Sequence, residues 1–200
     1  MKAFAVSTIL VFAYCSFAEV KVDGPAPDFS VMDATGKTQN LSNYRGKWLV
    51  LEWYNKDCPF VKKHYGSKNM QGIQKEYAKK GVAWLSVISS AKGKQGYLEP
   101  KEAVTNAKTV ASSATAILLD SDGKMGHTYD AKTTPHMFVI NPQGSVVYAG
   151  AIDDNDSSDP ESLKGATNFV KAALDAGMSP QAKAIEVKSH PPYGCSVKYQ

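Results

Sequence analysis

The sequence predicts an α/β domain: a central mixed β-sheet flanked by helices. Three observations carry that expectation. Buried-strand runs at 48–54, 82–88 and 116–120 alternate with helical patterns, the signature of strand–helix–strand units. Two β-rich runs, 133–140 and 145–150, flank the turn Asn141-Pro142-Gln143-Gly144 and form a hairpin, which brings antiparallel pairing into the sheet. A final apolar stripe, Leu163, Phe169, Val170 and Leu174, marks a helix over 160–177 that packs on the core.

Taken in order, Gly24-Pro25-Ala26-Pro27 is an extended lead-in to a short strand at 29–32 and a turn at 33–37. After the strand at 48–54, a helix is expected from Pro59 through Met70, Ile73 and Tyr77 to about Lys80, with proline in the first turn, where its missing N–H costs nothing. A strand at 82–88, a helix over 99–110 opened by Pro100, a strand at 116–120 and the turn Ser121-Asp122-Gly123-Lys124 follow. Thr134-Pro135 opens the first hairpin strand. The acidic run 153–159 lacks the spacing of a calcium loop and reads as solvated. Ser179-Pro180 stops the last helix, which divides the chain into a domain over 19–178 and a tail over 179–200 that carries Cys195.

Lys2, an uncharged stretch over 3–18 and Ser16-Phe17-Ala18 before Glu19 fit a secretory signal peptide over 1–18, cleaved after Ala18. The stretch is short for a membrane span, which takes about 20 apolar residues. Tyr14 is bulky for a lipoprotein signal, so Cys15 leaves with the leader. The expected location is therefore extracytoplasmic, periplasmic or secreted, with no stable membrane insertion after cleavage. Formal net charge is +4, of which Lys2 supplies one. With no polybasic block, nucleic acid is not an expected partner.

Cys58 stands where the strand 48–54 passes into the helix that begins at Pro59. Unpaired amides and the positive end of the helix dipole meet there, and both favour thiolate over thiol. Lys56, Lys62 and Lys63 add positive charge nearby in sequence. The thiolate is the nucleophile, so a reactive cysteine is expected here, although free cysteine also serves as an inert core residue.

Trp53 to His64, with Cys58-Pro59-Phe60-Val61-Lys62-Lys63 at its centre, resembles the active-site segment of thioredoxin-fold proteins. It is most similar to the peroxiredoxin-like, redoxin (AhpC/TSA-type) group that keeps a single active-site cysteine. Cys58 falls on the first, nucleophilic cysteine, and Val61 stands where the second would be. The resemblance covers roughly 22–177 and implies a thioredoxin-like fold. It also implies a cis proline at Pro135 opposite Cys58, with the Thr134 backbone open to an extended substrate by strand addition. His136, next to it, either tunes the thiolate or faces away as a strand residue. The thiolate-tuning candidates are thus Lys56, Lys62 and His136.

A mixed disulfide on Cys58 needs a second sulfur to resolve it. Outside the leader, Cys195 is the only other cysteine. Pro191-Pro192 stiffens the tail, Gly194 frees the backbone beside the sulfur, and the reach back to Cys58 is ample. Pairing with Cys58 is one expectation. An inert Cys195, an intermolecular bridge and a permanent structural disulfide stand beside it.

The leading functional expectation is an exported thiol–disulfide oxidoreductase with Cys58 and Cys195 as catalytic residues, protein or small-molecule thiols and disulfides as partners, and no cofactor or metal. A thiol peroxidase is the alternative. Peroxiredoxins position peroxide with Pro-x-x-x-Thr-x-x-Cys and a downstream arginine. Here Leu51 and Asn55 hold the first two positions, and the single arginine, Arg45, precedes Cys58. A second alternative is a non-enzymatic binding or copper-handling module using Cys58, Cys195, His64, His136 and His190. The six-residue spacing of Cys58 and His64 sets them roughly 240° apart on a helix, which disfavours a shared ligand role.

Overall fold

The computed structural model describes residues 20–181 and 183–200; the expected leader at 1–18 lies outside them. The chain forms β1 (Ser30–Met32), β2 (Thr38–Asn40), β3 (Leu49–Trp53), α1 (Pro59–Gly66), α2 (Asn69–Ala78), β4 (Ala83–Ile88), α3 (Pro100–Thr109), β5 (Ala116–Leu119), α4 (Lys124–Thr128), β6 (Thr133–Thr134), β7 (His136–Ile140), β8 (Val146–Gly150), α5 (Phe169–Gly177), β9 (Ser189–His190) and β10 (Cys195–Ser196). Six strands make the central sheet in the order β5-β4-β3-β7-β8-β9. β3, β4 and β5 run parallel, β7 is antiparallel to β3, and β8 returns antiparallel to β7. The sheet is mixed, as the alternation and the hairpin predict.

β3 and β4 lie at the centre and are buried on both faces, which is why both read as continuous apolar runs. Side chains alternate between two cores. Val50, Met137 and Val139 pack against Val61, Met70, Tyr77, Val170 and Leu174 of α1, α2 and α5. Leu49, Leu51, Trp53 and Phe138 face the lead-in residues Ala26 and Phe29, together with Met125 and Tyr129.

Two expectations need correction. The helix expected from Pro59 to about Lys80 is two helices. Ser67 Oγ donates to the carbonyls of Lys63 and His64, and Lys68 takes a left-handed conformation at φ 61°, so the chain turns between α1 and α2. The helix expected over 160–177 is a 3-10 turn, Pro160–Leu163, followed by α5. Gly165 at φ 81° breaks the run, Thr167 N–H goes to Asp154 Oδ1, and Asn168 caps α5 by accepting from Lys171 N–H at 2.8 Å. In addition, the tail over 179–200 joins the sheets, a pairing not expected from its sequence: β9 pairs parallel with β8 as the sixth strand, and β10 pairs antiparallel with β6. The short helix α4 follows the expected turn at 121–124 and was not legible in the hydrophobic pattern.

Candidate active site

Cys58 is the residue that caps α1, with φ −70° and ψ 124° and Pro59 as the first helical residue. Its N–H donates to the Asn55 carbonyl at 3.1 Å, and its own carbonyl accepts from Lys62 N–H at 2.9 Å. The side chain is 0% exposed. Its thiol donates to the Thr134 carbonyl at 2.9 Å. The Thr134–Pro135 bond is cis.

The sheet explains why these residues meet. β3 and β7 pair so that Trp53 faces His136, which brings the turn after β3 beside the turn before β7. Thr134 then borders Cys58 on one side. On the other side it pairs with Cys195, and Thr133 pairs with Ser196. Thr134 Oγ1 donates to the Cys195 carbonyl at 3.4 Å. Gly194 sits at φ 128°, and a Cβ there would run into the Thr134 carbonyl. Glycine is thus required for this close approach. The edge anticipated for an extended substrate is occupied by the chain's own tail.

Burial raises the cost of a charge on Cys58. It is outweighed by interactions with the Cys195 and Thr134 side chains, the Val61 N–H and the Cys195 backbone, which hold the Cys58 thiol below its ordinary value. Burial and the contact with Cys58 push Cys195 the other way, up to about 11. Of the two sulfurs, Cys58 is therefore the more readily ionised. Both cysteines are free thiols here.

The other tuning candidates do not enter this set of contacts. Lys56 Nζ is held by Asp57 at 2.8 Å, and Lys62 is exposed on α1. His136 is 6% exposed and packs on Phe138 at 4.6 Å, on the sheet face away from α1. Its Nδ1 accepts from Lys132 N–H at 3.2 Å, and burial lowers its pKa to about 4, so the ring is neutral. The contacts that lower the Cys58 pKa are hydrogen bonds from Cys195, Thr134 and Val61. The three histidines of the copper alternative are likewise dispersed: His64 bonds Asn69, His136 packs on Phe138, and His190 stacks on Phe169 at 4.7 Å. Arg45 Nη1 donates to the Gln143 carbonyl at 2.6 Å, at the hairpin turn.

A second cluster was not foreseen. Asp153, expected in a solvated loop, is 1% exposed. Its Oδ1 accepts from the Tyr193 hydroxyl and lies 3.9 Å from Lys63 Nζ. Its Oδ2 lies 3.8 Å from His64 Nε2 and has no hydrogen-bond partner. Lys63 Nζ also donates to the Asn155 carbonyl at 2.9 Å and to Tyr193 Oη at 3.3 Å. Burial and the neighbouring Lys63 charge lower the His64 pKa to about 3, so the ring stays neutral. The cluster joins α1, the loop after β8 and the residue two before Cys195. Only the approach of the tail creates it, so no local pattern announces it.

A helix-capping cysteine beside a proline turn, on a mixed sheet with this strand order, defines a thioredoxin-like thiol protein. The chain belongs to the AhpC/TSA family, whose match spans residues 22–149. It is 28% identical over 140 residues to the thiol-disulfide oxidoreductase ResA of Bacillus subtilis (strain 168), covering 70% of this chain and 73% of that protein. A ResA of Geobacillus kaustophilus (strain HTA426) is also 28% identical, covering 70% and 74%. Among solved structures, a hypothetical protein of Sinorhizobium meliloti 1021 shares the fold at TM-score 0.76 and 21% identity, covering 92% of this chain and 97% of that one. A putative thiol:disulfide interchange protein DsbE from Chlorobium tepidum shares it at TM-score 0.57 and 22% identity, covering 78% and 99%.

Proposed function

We propose that this chain is an exported thiol–disulfide oxidoreductase in which Cys58 is the nucleophile and Cys195 the resolving thiol. The observation that carries the reading is the placement of Cys195 across from Thr134 and against the Cys58 sulfur. The Cys58 thiolate attacks one sulfur of a disulfide R–S–S–R′, releases R′–S⁻ and is left joined to R. The Cys195 thiolate then attacks the Cys58 sulfur, forms the Cys58–Cys195 disulfide and releases R–S⁻. Two electrons pass to the substrate, and the two cysteine protons end on the released thiols. Thr134 and Pro135 border the reacting sulfurs on the substrate side. Similarity to proteins named thiol-disulfide oxidoreductase supports the same class of partner, thiols and disulfides. Export rests on the composition of residues 1–18.

The peroxidase alternative lacks support at the site. Asn55 Oδ1 accepts from Asp57 N–H at 2.9 Å and shapes the turn, and Arg45 is engaged at the hairpin.

The test is the midpoint potential of the mature protein, read by trapping free thiols across a graded glutathione or dithiothreitol buffer. A Cys58–Cys195 couple between roughly −120 and −270 mV supports an exchange site. A couple below about −300 mV makes the pair a structural clamp and removes the catalytic reading of Cys195.

A further inference from the structure

Cys58 is fully buried, yet an attacking sulfur needs access to its partner. The segment that covers it is residues 193–199, and this segment is fastened at both ends. Upstream, the Tyr193 hydroxyl bonds Asp153, its ring lies 5.8 Å from Phe60, and Lys63 Nζ stands 5.0 Å from the ring centre. Downstream, the Tyr199 ring stacks on His127 at 4.0 Å and 26°, and its hydroxyl donates to the Ala131 carbonyl at 2.7 Å. Gly123 and Gly126 make room for this ring: a Cβ on Gly123 would lie 2.8 Å from Tyr199 Cδ1, and one on Gly126 would meet the hydroxyl. Between the anchors, Val197 N–H donates to the Lys132 carbonyl at 3.0 Å, and Ala91 N–H to the Lys198 carbonyl at 2.8 Å.

We propose that residues 193–199 are a strap, that Tyr193 and Tyr199 are its positioning residues, and that an external disulfide reaches Cys58 only when the Tyr199 end lifts. The inference rests on the exchange reading and adds what controls access to that site. The two anchors differ in strength. Tyr193 is held by Lys63, His64 and Asp153, none more than 1% exposed, whereas the Tyr199 ring is held by the exposed ring of His127 and one hydroxyl bond, beside the two backbone bonds at Val197 and Lys198. Gly194 stands between the Tyr193 anchor and the sulfur, and its missing Cβ gives the backbone freedom to pivot. Lifting the downstream end takes Cys195 off Thr134 and opens both Cys58 and the strand edge. Lowering it returns Cys195 to the Cys58 sulfur for resolution. No covalent bond changes in the opening itself.

The two states make opposite demands, so weakening the Tyr199 anchor has opposite effects on two readouts. Opening exposes Cys58 more often. It also lowers the effective concentration of Cys195. In a Cys195→Ser background, Tyr199→Ala raises the iodoacetamide alkylation rate of Cys58 by about tenfold. With both cysteines present, the same substitution lowers the effective concentration, read from glutathione equilibrium, by about tenfold. His127→Ala, on the exposed partner ring, moves both in the same directions by a smaller factor and carries the test if Tyr199→Ala does not fold. Thermal melting checks that each variant is folded. Rates and equilibria within about twofold of the parent overturn the strap, as does a parent Cys58 that is alkylated as fast as in the unfolded chain. The exchange reading fails separately, if Cys58→Ser leaves turnover of a small aromatic disulfide unchanged; alkylation of Cys58 does not depend on that turnover.

Discussion

Cys195 and Thr134 face each other across an antiparallel pair, while the Thr134 carbonyl accepts from the Cys58 thiol at 2.9 Å. One residue therefore contacts both sulfur-bearing segments. The arrangement brings together by long-range pairing what a Cys-x-x-Cys motif would bring together within one helix turn. Val61 fills the motif's second position with a buried aliphatic side chain, and its N–H still helps to hold the thiolate.

Removing the Cys195 side chain takes away the largest of the contacts that favour the Cys58 thiolate. In Cys195→Ala the Cys58 pKa therefore rises. Ultraviolet thiolate absorbance followed against pH measures it; an unmoved titration would assign the effect to the helix terminus alone.

Gly194→Ala places a methyl group against the Thr134 carbonyl at a left-handed φ of 128°. The cost is about 1–3 kcal/mol, the range for backbone strain of this kind, and it falls on the strapped form. The Cys58–Cys195 disulfide of the variant is reduced at a less negative potential, measured in the same glutathione titration as the parent.

Asp153→Ala leaves Lys63 and His64 buried without their carboxylate. Removing one partner of a buried charged pair typically costs about 3–5 kcal/mol. Urea unfolding measures this, and the double variant Asp153→Ala, Lys63→Met recovers part of the loss. A loss below about 1 kcal/mol, the level of a surface pair, would mean that water enters the cluster.

Glu52 is 0% exposed and is bonded by Trp84 Nε1 at 2.7 Å and by the Tyr65 hydroxyl at 2.9 Å. Burial outweighs these bonds and raises its pKa from 4.5 to about 7. Between those values the folded state holds more protons than the unfolded state, so this group makes stability fall as pH rises. Buried, neutral His64 and His136 act in the opposite sense: their lowered pKa values make stability fall as pH drops below about 6.5. Glu52→Gln separates the two contributions. Relative to the parent, the variant gains stability between pH 5 and pH 7.5, by about 1.4 kcal/mol for each unit of the Glu52 shift. Denaturant unfolding at the two pH values tests it, and a constant difference would remove the assigned shift.

Much of the framework was legible in local pattern. The apolar run before Cys58, the proline after it, the hairpin turn and the isolated Cys195 are each short-range signals; the mixed character of the sheet follows from the alternation and the hairpin, while its strand order was not read from them. The breaks at Ser67-Lys68 and at 164–168 were hidden because apolar spacing continues across both, while side-chain bonds to the backbone decide where the helix stops. The site was half legible. Cys58, Thr134 and Pro135 stand where the motif puts them. Asp153 looks like any of its acidic neighbours until Tyr193 arrives, and Tyr199 gains its partner only from α4, which has little pattern of its own. Lys63 was read as a source of charge beside Cys58, but its buried side chain faces Asp153 and Tyr193.

Before it reaches Cys58, the tail lays β9 beside β8. Ala149 N–H donates to the Lys188 carbonyl at 3.1 Å, and Ala151 N–H to the His190 carbonyl at 3.3 Å. Without that strand, β8 would be the outer rim of the sheet, with unpaired backbone groups available to another chain. The last dozen residues thus deliver a sulfur and also shield the protein from its own copies. A form shortened before Ser189 would lose Cys195 and leave the β8 rim unpaired.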